Sequence, residues 1–314
     1  MASKPALAVL VGPTAVGKTA LSLALARQLD AEIISADSRL FYRGMDIGTA
    51  KPTLAERGDI PHHLINVADP DDTWSLSRFQ EQAARVIGEI TARGRLPLLV
   101  GGTGQYIRAV SQGWLPPDLP PSPRLRTALE GLAEQITPAG LYIWLQRLDP
   151  PAAAAIDYHN LRRTVRALEV ILTTGRRFSD QRGQSDSPYD LLQIGLTLPR
   201  PQLYARVDAR IDQMLADGLV EEVRGLLARY PADLPAFSAI GYCQIMDALN
   251  GKITMEEAIV LIRRLTRVFI RRQSNWFSLN DPQIHWFAAD SVQPQTVAAL
   301  IHAWLSNRGN PDGK

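Results

Sequence analysis

Short apolar runs alternate with amphipathic stretches over the first hundred residues. "ALAVLV" (6–11) reads as a buried strand and residues 18–29 as a helix. "EIISAD" (32–37) is a second apolar run that ends in an acid, followed by a long polar stretch, "SRLFYRGMDIGTAKPT". A stretch of that length without periodicity predicts a functional loop. From Ser75, Phe79, Ala83, Val86, Ile87 and Ile90 recur at helical spacing, with Gly94 as the stop and "RLPLLV" (95–100) as the next buried strand. Strand–helix–strand order with short connections predicts a parallel sheet covered on both faces.

The pattern breaks at "WLPPDLPPSP" (114–123), whose five prolines predict a semi-rigid linker. Residues 124–175 read as helices only, closed by Gly175, and 176–190 as a polar loop. "LLQIGLTL" (191–198) resumes a strand. Helices continue to about Leu279, a short strand lies near "IHWF" (284–287), and a last helix leads into a frayed tail, 307–314. The expected organisation is an α/β core in two parts, 1–120 and 191–314, interrupted by a helical insertion at 121–190.

Composition narrows the function classes. The 314 residues are 46% hydrophobic and 21% charged, as in an ordinary globular protein, and the formal charge of +2 gives no bulk argument for nucleic acid. Cys243 is the one cysteine, which excludes an internal disulfide and a multi-cysteine zinc site. The apolar amino-terminal run leads into a glycine loop instead of a cleavage site, and no run approaches the roughly 20 apolar residues of a membrane helix. A cytoplasmic protein is expected.

The clearest chemistry is Gly12-Pro13-Thr14-Ala15-Val16-Gly17-Lys18-Thr19, which matches G-x-x-x-x-G-K-[ST] between a strand and a helix. Its glycines let backbone N–H groups turn inward around phosphate oxygens, and the helix start adds free N–H groups and a positive dipole end. Lys18 adds a point charge, and the Thr19 hydroxyl is placed to ligate Mg²⁺. The loop predicts a bound phosphate without saying which molecule carries it. A nucleotide kinase would also need an acid for the metal. The strand before "GGTG" ends at Val100 without one, so Asp37 is the only acid at a strand end. Asp37 can be read as a metal acid, a general base, or a turn or capping residue.

Six segments then agree in order and spacing: "GPTAVGKT" (12–19), "ISADS" (34–38), "YRGMDIGTAKP" (42–52), "LLVGGTGQYI" (98–107), "RALEV" (166–170) and "AIGYCQ" (239–244). Over residues 5–288 the chain closely resembles the bacterial tRNA dimethylallyltransferases. The resemblance implies a P-loop NTPase-like core with a parallel sheet, interrupted by an all-helical insertion domain. It implies transfer of a dimethylallyl group from dimethylallyl diphosphate to the N6 amine of the adenine beside the anticodon of tRNA, with Mg²⁺; a monomer is expected. On that basis residues 12–19 hold the diphosphate, Asp37 is the base, and Thr14 touches substrate. Thr103 lies near the leaving group and the tRNA, although an N-cap reading of it is compatible, and Arg126 lies at the reaction channel. The flipped base is read by Asp37-Ser38-Arg39-Leu40, where Leu40 replaces a glutamine common in relatives. The helix carrying Arg162, Arg163, Thr164, Val165 and Arg166 contacts the anticodon stem-loop.

A second basic helix carries Arg263, Arg267 and Arg271 at i, i+4 and i+8, a spacing that suits phosphate tracking or a solvated stripe. Ser238 and Cys243 stand where some relatives carry arginine. His62 and His63 point to opposite faces, which favours a structural role over a metal site. Two readings rest on less of the chain: a small-metabolite or nucleotide kinase on the loop alone, and an RNA-binding protein without catalysis on the arginine helices.

Overall fold

The computed structural model describes residues 4–117, 119–181 and 183–308; the tail beyond, 309–314, lies outside the described residues. Along the chain run β1 (Ala6–Val11), α1 (Lys18–Leu29), β2 (Ala31–Ser35), α2 (Leu54–Arg57), β3 (His62–His63), α3 (Leu76–Ala92), β4 (Leu96–Gly101) and α4 (Gly104–Ser111). Then come β5 (Trp114–Leu115), α5 (Pro123–Leu148), α6 (Pro150–Ala154), α7 (Leu161–Thr174) and β6 (Gly183–Gln184). The chain continues with β7 (Asp190–Thr197), α8 (Arg200–Ala216), α9 (Leu219–Leu227), α10 (Tyr242–Leu249), α11 (Met255–Gln273), β8 (Ile284–Ala288) and α12 (Pro294–Arg308). Two compact units emerge: Met1–Ser111 with Ser187–Lys314, and Gln112–Asp186.

The larger unit is built on a six-stranded sheet of order β3-β2-β4-β1-β7-β8, with every pairing parallel. Near-continuous apolar runs put both faces of the strands in the core, as parallel sheets require. Leu7, Val9 and Val11 pack on one side with Phe79, Ile87 and Ile90 of α3. Ala8 and Leu10 pack on the other with Leu21 and Leu25 of α1. The register aligns the carboxyl ends of three adjacent strands: Val11 lies opposite Gly101, and Ser35 opposite Val100. The loops that leave β1, β2 and β4 therefore start from one level, where ligands bind in open parallel sheets.

In the larger unit, two small elements escaped sequence periodicity, because two to four residues carry no period. One is α2, held by a Thr53–Glu56 capping box. The other is β3, made of His62 and His63. His63 Nε2 lies 2.6 Å from the carboxylate of Glu32, which also accepts from Arg93 and Arg95. Burial alone would raise the Glu32 pKa; the hydrogen bonds from Arg93 and His63 overcome it and bring it to about 2. His62 Nδ1 lies 2.9 Å from the Ile60 carbonyl, so each histidine ring has a protein partner beside β2.

In the smaller unit, α5, α6 and α7 enclose an apolar core that includes Leu129, Leu141, Leu145, Val165 and Leu168. Helix α5 is kinked where Thr137, at φ 69°, precedes Pro138. The proline-rich segment, expected as a semi-rigid linker, belongs to this unit. Trp114–Leu115 pairs antiparallel with Gly183–Gln184, and the Ser122 N–H donates to Glu169. Among the described residues, no helix is long and apolar enough to cross a membrane.

Candidate active site

Residues 12–17 turn the chain from β1 into α1. Gly17, at φ 110°, is the left-handed N-cap of that helix, a conformation that side-chain-bearing residues resist. Ala15 and Val16 are buried. Lys18 folds back over the loop and donates to the carbonyls of Gly12 and Pro13 at 2.9 and 2.8 Å. Desolvation lowers its pKa to about 8; the charge of Asp37 opposes that fall and the charge of Arg210 adds to it. Thr19 is exposed, and its hydroxyl has no hydrogen-bond partner among the described residues.

Asp37 follows β2. Its Oδ1 accepts the Arg39 N–H at 3.0 Å, and its carbonyl accepts the Leu40 N–H. The turn reading of Asp37 is therefore realised, and Oδ2 makes no hydrogen bond among the described residues. Because its charge reaches Lys18, the loop cation and this carboxylate share one field. Thr103 follows β4 and starts α4 through its carbonyl, which accepts from Tyr106 and Ile107. Its hydroxyl caps nothing among the described residues, so the N-cap reading of that side chain is not realised. Ser38 and Leu40 are half-buried. Arg39 is committed elsewhere: its guanidinium donates to the carbonyls of Pro235 and Ala236 and to Ser238 Oγ. A cation thus stands at Ser238 although the residue there is neutral.

Several residues that the sequence did not single out complete this region. Arg206 of α8 donates to the Val16 carbonyl at 3.3 Å, and Arg210, one turn on, bears on Lys18. Their i, i+4 spacing was visible in "YARVDARID", but nothing in the sequence tied α8 to the loop. Glu222 of α9 accepts the N–H groups of Asp46, Ile47 and Gly48 and the Tyr242 hydroxyl, at 2.6–3.1 Å. Lys51 is buried and donates to the Tyr42 carbonyl and Asn66 Oδ1. Together these bonds fix "MDIGTAK" as an ordered loop. Gln273, at the end of α11, accepts the Thr14 N–H at 2.9 Å and donates to the Gly102 carbonyl at 3.0 Å.

In the smaller unit, Arg162 and Arg163 are exposed on α7. Thr164 and Val165 correct the expectation that they face RNA: at 0% and 2% exposure their side chains lie in the core of that unit. A run of five consecutive helical residues spans every face, so it cannot contact one partner throughout. Arg126 and Arg166 are not free solvated cations. Both donate to the fully buried Glu169, and Arg166 also to the Leu119 carbonyl. On α11, Arg263 and Arg267 pair with Asp212 and Asp208 of α8, while Arg271 is exposed, so the even basic stripe is partly neutralised.

The family model for IPP transferase matches residues 40–280, and that for isopentenyl transferase matches residues 5–60. A tRNA dimethylallyltransferase of Roseiflexus sp. (strain RS-1) is 50% identical over 301 residues, 95% of this chain and 98% of that protein. The crystal structure of the full-length tRNA isopentenylpyrophosphate transferase of Bacillus halodurans is similar at TM-score 0.71 and 42% identity, covering 97% of each chain. Crystallographic snapshots of a eukaryotic dimethylallyltransferase acting on tRNA give TM-score 0.82 at 27% identity, over 98% of this chain and 80% of that one.

Proposed function

This chain belongs to the IPP transferase family, and from that premise we propose that it transfers a dimethylallyl group from dimethylallyl diphosphate to N6 of the adenine beside the anticodon of tRNA. The observation that carries the reading is the juxtaposition of a phosphate loop, its desolvated Lys18 and the Asp37 carboxylate at the carboxyl ends of β1 and β2. The donor's diphosphate lies on residues 12–19, where loop amides, Lys18 and Arg210 take its charge. The adenine N6 attacks C1 of the dimethylallyl group as the C1–O bond breaks, and the bonding pair leaves with the diphosphate. Asp37 accepts the N6 proton through the oxygen that the turn leaves free. Thr103 hydrogen-bonds near the departing oxygen, and Thr14 touches the donor. Catalysis is mostly orientation and charge neutralisation, since an exocyclic amine is a weak nucleophile.

The Thr19 hydroxyl, at a helix start beside Lys18 and without a hydrogen-bond partner among the described residues, would with diphosphate oxygens form a hard-oxygen donor set that fits Mg²⁺. When bound, the ion would neutralise charge on the leaving diphosphate. Asp37, Ser38, Leu40 and Thr103 meet the flipped base in this reading, with Arg39 fixing the segment. Arg126, Arg162, Arg163 and Arg166 contact the anticodon stem-loop. The reading places the enzyme in the cytoplasm with its tRNA, as a monomer.

The test is to incubate the protein with tRNA, Mg²⁺ and dimethylallyl diphosphate and to analyse the nucleosides by mass spectrometry. One isopentenylated adenosine per tRNA is expected, and Asp37→Asn should lower kcat by about 10²–10⁴. Wild-type turnover of ATP with no prenylated nucleoside would instead make the chain a kinase. An unchanged rate in Asp37→Asn would remove Asp37 as the base.

A further inference from the structure

One buried side chain joins two separate segments of the candidate site. Gln273 is 6% exposed and closes α11, a helix that starts at the Thr254–Glu257 capping box. Its carbonyl oxygen accepts the N–H of Thr14, inside the phosphate loop, and its amide nitrogen donates to the carbonyl of Gly102, immediately before Thr103. The chemistry of the partners fixes the orientation of the amide, because one neighbour is a donor and the other an acceptor. A glutamine amide presents an acceptor and a donor side by side, whereas the glutamate carboxylate lacks the donor and the methionine thioether offers only a weak acceptor.

The segments it bridges are already in close approach. A Cβ added at Gly102 would sit 2.4 Å from the Gln273 amide nitrogen and 3.1 Å from the Gly12 carbonyl oxygen. The absence of a side chain at position 102 is therefore what admits the amide between the two backbones. Glycine at 102 and glutamine at 273 are two halves of one contact, separated by 171 residues of sequence.

We propose that Gln273 is a positioning residue for prenyl transfer, a latch that fixes the phosphate loop at Thr14 against the Thr103 segment. The inference rests on the reading of this site as the prenyl-transfer centre. Thr14 and the loop hold the donor, while Thr103 lies near the departing oxygen. Gln273 sets their separation and so the alignment of the leaving group with the incoming amine. It acts through both segments and touches no reacting atom. Its contribution falls on kcat more than on diphosphate affinity, because the remaining loop amides and Lys18 still hold the diphosphate without it. Displacements of about 1 Å in such alignments cost up to roughly a hundredfold in rate.

The test uses Gln273→Met, Gly102→Ala and the double variant in the full chain. Three measurements are made: kcat on tRNA with saturating dimethylallyl diphosphate, the Kd of inorganic diphosphate with Mg²⁺, and exchange of the Thr14 amide proton by NMR in the ligand-free protein. Each single variant should lose about ten- to a hundredfold in kcat, with the diphosphate Kd within about threefold of wild type. The double variant should lose no more than the worse single one, and Thr14 amide exchange should accelerate in all three. A kcat near wild type in both single variants would overturn the proposal. So would multiplicative losses in the double variant, or a Kd that rises in step with the loss of kcat, as a general loss of folded structure would produce. Amide exchange is read without turnover. If the wild-type chain prenylates nothing, the prenyl-transfer reading fails, and an unchanged Thr14 exchange rate would by itself refute the latch.

Discussion

Raising the pH should loosen the donor from this protein while the same lysine strengthens the fold. The Lys18 ammonium is desolvated under its own loop, and its pKa falls from 10.5 to about 8. Bound diphosphate replaces the lost solvation with two adjacent anions, which restores the pKa to the ordinary lysine range or above. The donor needs no proton in this window, since a phosphate's last ionisation lies near 6. The sign follows: the protonated lysine is the binding form, so affinity is full below pH 8 and is lost as the pH climbs through it. With a free-state pKa of about 8, Kd should rise about tenfold at pH 9, equivalent to about 1.4 kcal/mol, and continue about tenfold per further unit. In the ligand-free chain the unfolded state holds that proton more tightly, so folding stability gains between pH 8 and 10.5 while affinity declines. The assay is calorimetric titration of dimethylallyl diphosphate at fixed Mg²⁺ from pH 7 to 9.5, with buffers of different ionisation heat to count proton uptake. Lys18→Arg, which stays charged throughout, should give a flat profile. A flat wild-type profile, or binding without proton uptake at pH 8.5, would refute the assignment of Lys18 as the desolvated diphosphate cation.

Two further predictions concern carboxylates that organise the neighbouring segments. Glu222 accepts three consecutive backbone N–H groups and the Tyr242 hydroxyl, so Glu222→Gln sets an amide NH₂ against donors. It should cost about 2–4 kcal/mol, read as a lower Tm and as new proteolytic cleavage between residues 38 and 52; an unchanged Tm would count against the clamp. Glu169→Gln should release Arg126 and Arg166, lowering kcat/KM for tRNA about tenfold while KM for dimethylallyl diphosphate holds, and speeding amide exchange in α5 and α7. Equal loss with both substrates would mean that Glu169 serves folding alone.

What could be read from the sequence follows the range of each physical signal. β1, α1 and β4 were legible because period and turn chemistry act within about ten residues. The phosphate loop was legible because its function is local too: one strand end, one glycine turn and one helix start are contiguous in the chain. Asp37 was locatable as a strand-end acid, yet its role stayed open on residues alone, because that role depends on Lys18, which the sheet brings near it through β2-β4-β1 order. Arg210, Glu222 and Gln273 had no local signal that tied them to the site. A helix arginine, a helix glutamate and a helix-end glutamine are ordinary surface residues until the fold buries or aims them. Thr164 and Val165 fail in the opposite direction: taking a motif as a block assigned RNA contact to side chains that the 100° step of an α-helix turns into the core. The pairing of Arg126 was not legible from local sequence either. Its partner Glu169 lies 43 residues away, and a buried carboxylate claims every guanidinium within reach, since leaving it unpaired would cost several kcal/mol.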